Sequence, residues 1–406
     1  MIGKIAKSLL GLAVVGVVVS FGYRQGYDDR DAGREMRLAR SAAAQEGDDA
    51  RKGSYYPNTE QLADDEMRVI ALGTGMPNLT KAQKSSGWFV ELGNGDVFLF
   101  DIGSGSMENL HALRPDFAKV DKVFVSHLHT DHVGDFGALL VGGWLTGRYT
   151  PLHVYGPSGA ERPLGTAAFV EHQIQSFAWD LSGRSGRLPD AGGRVEVHEF
   201  DYRVVNNVVY EANGVTITSW PAIHALDGPV SYKLEWNGLS FVFGGDTYPN
   251  SWFIENAAGA DLVIHECFLP PAALAKYFGW GLAQATNVST RIHTEPTAFG
   301  KIMSAVRPRM AVGYHSVLIP ELAQEILEGV RQTYDGPLTL ASDLYVWNIT
   351  KDRIEVREAV VAERAYPSSV TPDYNSAPRT GFTETSEFIQ SGKWAEYTPP
   401  PMPERR

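Results

Sequence analysis

The chain has 406 residues, of which 43% are hydrophobic and 21% are charged. That length allows one large or two ordinary domains, and the composition is that of a folded globular protein rather than a disordered one. With 36 Lys and Arg against 48 Asp and Glu, the formal net charge is -12, which argues against a nucleic-acid substrate because phosphates repel an acidic surface. The single cysteine, Cys267, excludes an intramolecular disulfide.

The N-terminal segment has the pattern of an export signal. Lys4 and Lys7 precede an apolar stretch at residues 9–23, and Arg24 follows it. The stretch is short for a transmembrane helix, which needs about 20 residues, and no clear A-x-A cleavage site follows it. We therefore expect residues 1–27 to be either a cleaved signal or an uncleaved membrane anchor. The rest of the chain is then expected in the periplasm or on the outer face of the cytoplasmic membrane.

Two further segments flank the expected catalytic domain at residues 67–350. Residues 28–66 are rich in Asp, Arg, Ala and Gln, and this composition predicts a linker. Residues 351–406 combine many prolines with aromatic side chains that a solvated linker would not need. These aromatic residues are Phe382, Phe388, Trp394 and Tyr397. We therefore expect the C-terminal segment to be an irregular arm packed on the domain.

Residues 67–350 predict a core of many strands with helices between them. Runs of β-branched and aromatic residues, separated by Gly and Asn turns, indicate the strands. In chain order, strands are predicted at Met67 to Leu72, Trp88 to Leu92, Val97 to Asp101, Val120 to Ser126, Leu152 to Tyr155, Val195 to Phe200, Val215 to Trp220, Ser231 to Trp236, Ser240 to Gly244, Leu262 to His265, Met310 to Gly313, Leu338 to Leu340 and Tyr345 to Ile349, and helices at Met107 to Leu113, Gly134 to Leu145 and Glu321 to Tyr334. This order favours an α/β (α+β) fold with a two-layered sheet core and outer helices over a parallel doubly wound sheet.

The strongest chemical signal is the run H-x-H-x-D-H at residues 127–132, directly after a predicted strand. Neutral imidazole and carboxylate are the ligands that suit zinc, and also manganese or iron. Alternate side chains of an extended segment share a face, so we expect His127 and His129 to bind one ion together. Asp131 and His132 then turn toward a second ion. A polar loop without a metal would not need four potential ligands in six positions.

A metal site needs further ligands, and three residues that follow apolar strands are candidates. They are His224, Asp246 and His315. A carboxylate at Asp246, directly after a buried strand, is expected if it bridges cations. The other histidines lie in ordinary helix or strand contexts and are not expected to bind metal. These are His111, His153, His172, His198 and His265.

Taken together, these residues resemble the metallo-β-lactamase superfamily, and more closely its tRNase Z and arylsulfatase-like branch. The resemblance covers roughly residues 67–350 and includes the metal-ligand run. In addition to that run it rests on Leu72 to Gly75, Phe98 to Gly103, Val154 to Pro157, Gly244 to Thr247, Asp261 to Glu266, His293-Thr294 and Tyr314 to Ser316. It implies an αββα sandwich with the site at one edge.

The resemblance also implies a role for each site residue. It places His127, His129 and His224 on a first zinc, Asp131, His132 and His315 on a second, and Asp246 between them as the bridge. A hydroxide between the two ions would be the nucleophile. His293 matches a proton donor of the branch, although Thr294 follows it where the branch has Ser, and Glu266 would orient His293. The candidate catalytic residues are therefore Asp131, His293 and Glu266, the latter two with a surface histidine and a structural glutamate as alternatives.

The sequence therefore predicts an exported dizinc hydrolase that cleaves a small ester-type substrate: a sulfate ester, a phosphodiester or a lactone. The insertion at residues 142–193 has no convincing basic arm, which disfavours a tRNase Z-like endoribonuclease. Two further alternatives are a hydrolase of small-molecule (guanitoxin-type) biosynthesis and a non-hydrolytic metal-binding relative. Aromatic residues are expected either to line a substrate pocket or to belong to the core. They are Trp144, Trp179, Trp252, Phe278 and Trp280. The oligomeric state stays open, with a homodimer as one candidate.

Overall fold

The computed structural model describes residues 53–365, 381 and 384–401. The signal or anchor predicted at residues 1–27 and most of the predicted linker lie outside these ranges. Tyr55–Arg406 forms one compact unit, and only Gly53 and Ser54 are described of the unit Met1–Ser54. Every helix in the described ranges is too short or too polar to span a lipid bilayer.

The strands form two sheets. Their bounds are β1 (Ser54–Tyr55), β2 (Met67–Gly73), β3 (Gly87–Leu92), β4 (Val97–Ile102), β5 (Lys122–Phe124), β6 (Leu152–Pro157), β7 (Val195–Phe200), β8 (Asn207–Ala212), β9 (Val215–Pro221), β10 (Val230–Trp236), β11 (Leu239–Phe243), β12 (Leu262–Glu266), β13 (Met310–Tyr314), β14 (Leu338–Leu340), β15 (Tyr345–Ile349) and β16 (Ile354–Ala359). The first sheet has the order β1-β16-β15-β2-β3-β4-β5-β6-β7, and the second has the order β14-β13-β12-β11-β10-β9-β8. In each sheet, antiparallel hairpins lead into a parallel half, formed by β4 to β7 in the first and by β11 to β14 in the second.

Helices connect the parallel strands and flank both sheets. Their bounds are α1 (Ser106–Leu113), α2 (Thr130–Val133), α3 (Phe136–Leu145), α4 (Thr166–Ser176), α5 (Ala178–Arg184), α6 (Ser251–Asn256), α7 (Pro271–Phe278), α8 (Leu282–Arg291), α9 (Pro296–Val306), α10 (Pro320–Arg331) and α11 (Glu387–Ser391). The 142–193 insertion contributes strand β6 to the first sheet and also contains helices α4 and α5.

Apolar residues form three layers that correspond to an αββα sandwich. Between the sheets lie the alternate strand residues that face inward, such as Trp88, Phe100 and Phe243. Outside the first sheet, helix residues such as Leu139 pack on the opposite faces of its strands. Outside the second sheet, Phe299 of α9 lies in an equivalent layer. The predicted fold class is therefore confirmed.

The first sheet extends beyond the boundaries at residues 67 and 350 that the sequence indicated. Tyr55 of β1 is only 4% exposed, and its hydroxyl accepts a hydrogen bond from Arg68 Nη1 at 3.0 Å. At the other end, β16 pairs antiparallel with β15 from Ile354 to Glu358. Glu60, in the predicted linker, accepts hydrogen bonds from Arg68 and from Arg357 of β16. Both predicted flanks therefore contribute to the folded domain.

The aromatic residues near the C-terminus do not pack on the domain as expected. The exposed fractions of Phe388, Trp394 and Tyr397 are 82%, 69% and 60%. Phe382 lies outside the described residues. The aromatic content that prompted the prediction of a packed arm is therefore solvent-exposed over the described part of this segment.

Candidate active site

Most of the candidate metal ligands collect near the carboxyl ends of parallel strands, and His224 follows the antiparallel strand β9. Ser126 and His127 follow β5, Asp246 follows β11, and His315 follows β13. Strands β11, β12 and β13 are parallel neighbours, and β5 lies in the parallel half of the other sheet. Carboxyl ends of parallel strands meet at one edge, where a rigid sheet holds each side chain precisely. The fold therefore brings residues far apart in sequence to one edge of the sandwich.

The first group of ligands consists of His127, His129, His224 and Asp246. His127 Nε2 lies 3.1 Å from His129 Nδ1, and His224 Nε2 lies 3.2 Å from the same nitrogen. Asp246 Oδ2 is 4.0 Å from His127 Nε2 and 3.7 Å from His224 Nε2. Three ring nitrogens and one carboxylate oxygen thus converge on a single point.

The second group consists of Asp131, His132, His315 and again Asp246. His315 Nε2 is 3.0 Å from Asp131 Oδ2 and 3.2 Å from Asp246 Oδ2. His132 Nε2 faces Asp246 Oδ1 at 3.3 Å. Because Asp246 belongs to both groups, the structure brings together all seven predicted ligands, with this carboxylate between two adjacent positions.

A layer of hydrogen bonds behind the ligands sets their orientation, and sequence reasoning did not identify its central residue, Asp101. Asp101 Oδ2 lies 2.6 Å from His132 Nδ1, and the carboxylate also accepts hydrogen bonds from Ser126 N and Ser126 Oγ, each at 2.7 Å. Ser126 Oγ in turn lies 3.1 Å from His127 Nδ1. Holding the outer nitrogen of a ligating histidine leaves its other nitrogen free to bind metal. Asp101 lies at the end of the strand motif Phe98 to Gly103, and that position was the available signal.

The loop after β2 contacts the backbone of His315, a member of the second ligand group. Thr74 O accepts a hydrogen bond from the backbone N–H of His315 at 2.9 Å. His315 has a φ of 62°, in the left-handed region that non-glycine residues rarely adopt. A Cβ on Gly73 would lie 1.8 Å from Ser85 O, so only glycine fits at that position. The Gly73-Thr74-Gly75 sequence is therefore a tight turn beside the ligands.

These donors fit a pair of metal ions. All seven ligands are imidazoles or carboxylates, which is the donor set of zinc and related ions. Asp131 Oδ1, His132 Nε2 and Asp246 Oδ1 are buried without a protein hydrogen-bond partner. Buried polar atoms of this kind are costly unless something else satisfies them. Bound cations at the two positions would do so.

The electrostatics differ between the ligands of the cluster. Burial lowers the pKa of His132, but the Asp246, Asp131 and Asp101 carboxylates outweigh burial and raise that pKa well above its ordinary value. Burial, reinforced by the neighbouring His132, holds the pKa of His127 well below its ordinary value, and burial lowers the pKa of His224 to about 4. Both shifts favour the neutral ring, which is the form in which imidazole binds a metal. Burial disfavours the charged form of Asp246, but His315 and His132 outweigh it and hold the pKa of this carboxyl well below its usual range.

His293 and Glu266 lie beside the second ligand group. Glu266, at the end of β12, is fully buried; its Oε1 accepts a hydrogen bond from Thr247 N at 2.6 Å, and its Oε2 lies 2.7 Å from His293 Nδ1. The His293 ring stacks on Phe268 with centroids 4.1 Å apart. Burial lowers the pKa of His293, yet the Glu266 charge outweighs it and raises that pKa above its ordinary value. The predicted His293–Glu266 pair is thus adjacent to the cluster.

A cavity of about 440 Å³ opens over the ligands. Its wall is largely apolar, and the described residues that line it include no Lys or Arg. Leu128 comes from the ligand run, Phe268 follows β12, and Leu274, Phe278, Trp280 and Ile292 come from α7, α8 and the loops beside them. Of the aromatic residues considered for a pocket, Phe278 and Trp280 line it. Trp144 is buried in the core, whereas Trp179 is 88% exposed.

Comparisons with known proteins identify relatives of this arrangement. A family model described as Anti-Pycsar protein Apyc1 matches residues 67–277. Ribonuclease Z of Mycobacterium marinum is 32% identical over 205 residues, which cover 49% of this chain and 70% of that protein. Ribonuclease Z of Mycobacterium bovis is 30% identical over 205 residues, covering 49% of this chain and 69% of that protein.

A solved structure confirms the fold independently. The metallo-beta-lactamase fold protein YhfI from Bacillus subtilis matches with a TM-score of 0.53 and 20% identity, covering 70% of this chain and 100% of that chain. At this identity the match concerns the fold alone. It agrees with the αββα sandwich.

Proposed function

The chain belongs to the Anti-Pycsar protein Apyc1 family and to the tRNase Z-like part of the metallo-β-lactamase superfamily, and on this basis we propose that it is a dizinc phosphodiesterase acting on a small phosphodiester. Membership supports hydrolysis as the class of reaction. The phosphodiester is favoured over a sulfate ester or lactone because the curated relatives are named as ribonucleases, enzymes of phosphodiester chemistry.

The observation that carries the proposal is the apolar cavity that opens directly over the ligand cluster. Its volume of about 440 Å³ suits one small organic molecule. A polyanionic RNA needs Lys and Arg side chains to neutralise its phosphates, and the described lining residues include neither. Phe278 and Trp280 instead offer flat apolar surfaces to an aromatic or base-like substituent.

We assign a first zinc to His127, His129 and His224 and a second to Asp131, His132 and His315, with Asp246 as the shared ligand. Bound there, the ions would supply a nucleophile at neutral pH and positive charge to stabilise the phosphoryl oxygens. The protein's own contribution is to hold the ligands at fixed distances and to keep bulk water from the apolar side of the cavity.

His293 is assigned the role of proton donor to the leaving oxygen. Glu266 occupies its Nδ1 at 2.7 Å, so Nε2 is the nitrogen left to donate. The raised pKa of His293 keeps that nitrogen protonated near neutral pH, as a general acid requires. Glu266 acts through His293 and is a positioning residue, and Asp131 takes part as a ligand.

A substrate panel tests the proposal. The purified chain is assayed with a bis-aryl phosphate, an aryl sulfate, an aryl-substituted lactone and a 3′-extended tRNA precursor. We expect the bis-aryl phosphate to be hydrolysed fastest, with activity lost on chelation and restored by zinc. His129→Ala should abolish that activity, whereas His172→Ala, an exposed histidine of α4, should leave it unchanged. Phe278→Ala should raise KM about tenfold, as for loss of an apolar contact.

Each other result argues against the proposal. Faster hydrolysis of the sulfate or the lactone would assign a different ester class. Comparable kcat/KM on the tRNA precursor would favour the ribonuclease alternative. Unchanged phosphodiesterase activity in His129→Ala would show that the ligand cluster is not the site of the reaction.

We also propose that the enzyme is exported, on the strength of the charged and apolar pattern at residues 1–27. Cell fractionation of the full chain, compared with a chain that starts after residue 27, tests this. Equal amounts of both chains in the cytoplasm would contradict export.

A further inference from the structure

A second group of metal-type side chains lies away from the active site, on β6 and β7. It consists of His153, Glu196 and His198, whose ligand atoms all lie within 4.8 Å of one another. The two strands are parallel, with His153 opposite Glu196 and Tyr155 opposite His198. Tyr155 belongs to the apolar layer between the sheets, so the three side chains lie on that same face. Strand β7 is the edge of the first sheet, and this face is open to solvent there.

The separations within this group match those between zinc ligands. His153 Nδ1 lies 3.1 Å from His198 Nε2 and 3.5 Å from Glu196 Oε2. Tetrahedral zinc with metal–ligand bonds of about 2.0–2.1 Å places its ligand atoms about 3.3–3.4 Å apart. In the active site, His127 Nε2 and His129 Nδ1 show the same 3.1 Å separation.

The ring positions are set before any ion binds. Tyr155 stacks on His198 with centroids 4.3 Å apart and an angle of 10° between the rings. His153 is held on β6 by strand pairing on both sides, to β5 and to β7. Its side chain is 28% exposed and that of Glu196 is 55% exposed, so an ion has access. The nearby Lys122 ammonium is paired with Asp121 at 2.6 Å, which offsets its repulsion of a cation.

This group is separate from the active site. His153 pairs in register with Lys122 at the start of β5, whereas His127 lies five residues further along the chain. At about 3.3 Å per residue in a strand, the two sites are roughly 15 Å apart along the sheet. None of the seven active-site ligands belongs to the group of His153, Glu196 and His198 on β6 and β7.

We propose that His153, Glu196 and His198 bind one divalent transition-metal ion of the zinc class, as a third metal site that ties the edge strand β7 to β6. The residues supply two imidazoles and one carboxylate, and water completes the coordination. This assignment departs from the sequence, in which neither histidine was expected to bind metal. The site depends only on cross-strand pairing, so it does not rest on the proposed phosphodiesterase activity.

Zinc titration of the full-length chain, stripped with a chelator, tests the proposal. Equilibrium dialysis and metal analysis count the equivalents bound by the wild type, by His198→Ala and by Glu196→Gln. His172→Ala is the matched control, because it removes an exposed histidine outside every ligand group. We expect His198→Ala to bind one equivalent fewer than the wild type and the control, and Glu196→Gln to hold that ion more weakly.

A second measurement separates this site from the active site. In a His127→Ala/His132→Ala background, zinc should still raise Tm, and adding His198→Ala should abolish the rise. The metal-free Tm of each variant serves as the folding control. Equal zinc equivalents in His198→Ala and wild type would overturn the proposal, as would loss of the same equivalent in His172→Ala.

Discussion

Replacing Asp101 by Asn isolates the orienting role of a carboxylate that binds no metal itself. The side chain is fully buried, and its Oδ2 lies 2.6 Å from His132 Nδ1. Asn has the same shape, and it tolerates the left-handed φ of 55° at this position. The substitution therefore changes hydrogen bonding and charge with little effect on the backbone.

The neighbours of Asp101 limit the hydrogen bonds that an Asn amide can make at this position. If its oxygen keeps the hydrogen bond from Ser126 N, its amide group must face His132 Nδ1 and donate to it. The ring proton of His132 then moves to Nε2, the nitrogen that faces Asp246 at 3.3 Å, and a protonated nitrogen cannot bind metal. If the amide rotates, its N–H groups oppose the Ser126 N–H. We expect zinc affinity at the second position to fall about 10–100-fold, or about 1.4–2.7 kcal/mol.

The assay is competition for zinc between the protein and a chelator, with the two equivalents fitted separately. Asp135→Asn is the matched control, because this half-buried carboxylate accepts a hydrogen bond from Met107 N at 2.9 Å and contacts no ligand. The first equivalent should bind Asp101→Asn as tightly as wild type. A folded Asp101→Asn that binds both equivalents with wild-type affinity would refute the reasoning.

Three further predictions concern the neighbouring residues. Glu266→Gln should lower kcat by up to about 100-fold with little change in KM. Because Glu266 raises the pKa of His293, the substitution should also shift the alkaline limb of the pH–rate profile to lower pH. An unshifted alkaline limb would show that Glu266 does not act through His293. Gly103→Ala would place a Cβ 2.0 Å from Asp131 O, so denaturant unfolding should show a loss of about 1–3 kcal/mol and metal analysis a weakened second position. Burial lowers the pKa of His265 to about 4 in the folded protein, below the value of about 6.5 in the unfolded chain. The free energy of unfolding should therefore fall by about 3 kcal/mol as the pH drops from 6.5 toward 4. His265→Phe should therefore lose less unfolding free energy than wild type between pH 7 and pH 4, and equal losses would contradict this.

Much of the metal centre was predictable from the sequence for a local reason. Four ligands lie within six residues, so their proximity depends on chain connectivity and not on tertiary contacts. His224, Asp246 and His315 follow apolar runs whose ends are visible in the sequence, and strand ends are where a sheet presents ligands. The layered fold followed from the same strand pattern.

The substrate cavity was harder to predict, because its wall comes from helices that the strand pattern did not indicate. Helices α7 and α8 lie between β12 and β13, and Phe278 and Trp280 line the cavity only because these helices fold over the cluster. In sequence the same residues were equally compatible with the core. Likewise, the two flanks of the domain join the first sheet through β1 and β16. The sequence did not predict these strands, because the segments that form them are short and contain polar residues.

The sequence by itself therefore determined the fold class and indicated the candidate ligands, because both depend on local patterns of charge and hydrophobicity. Tertiary structure decided which nitrogen of His132 faces the candidate metal position, since the parallel pairing of β4 and β5 brings Asp101 to the other nitrogen. It also decided that His153 and His198 meet, because the parallel pairing of β6 and β7 places them at diagonal positions on neighbouring strands that are 45 residues apart in sequence.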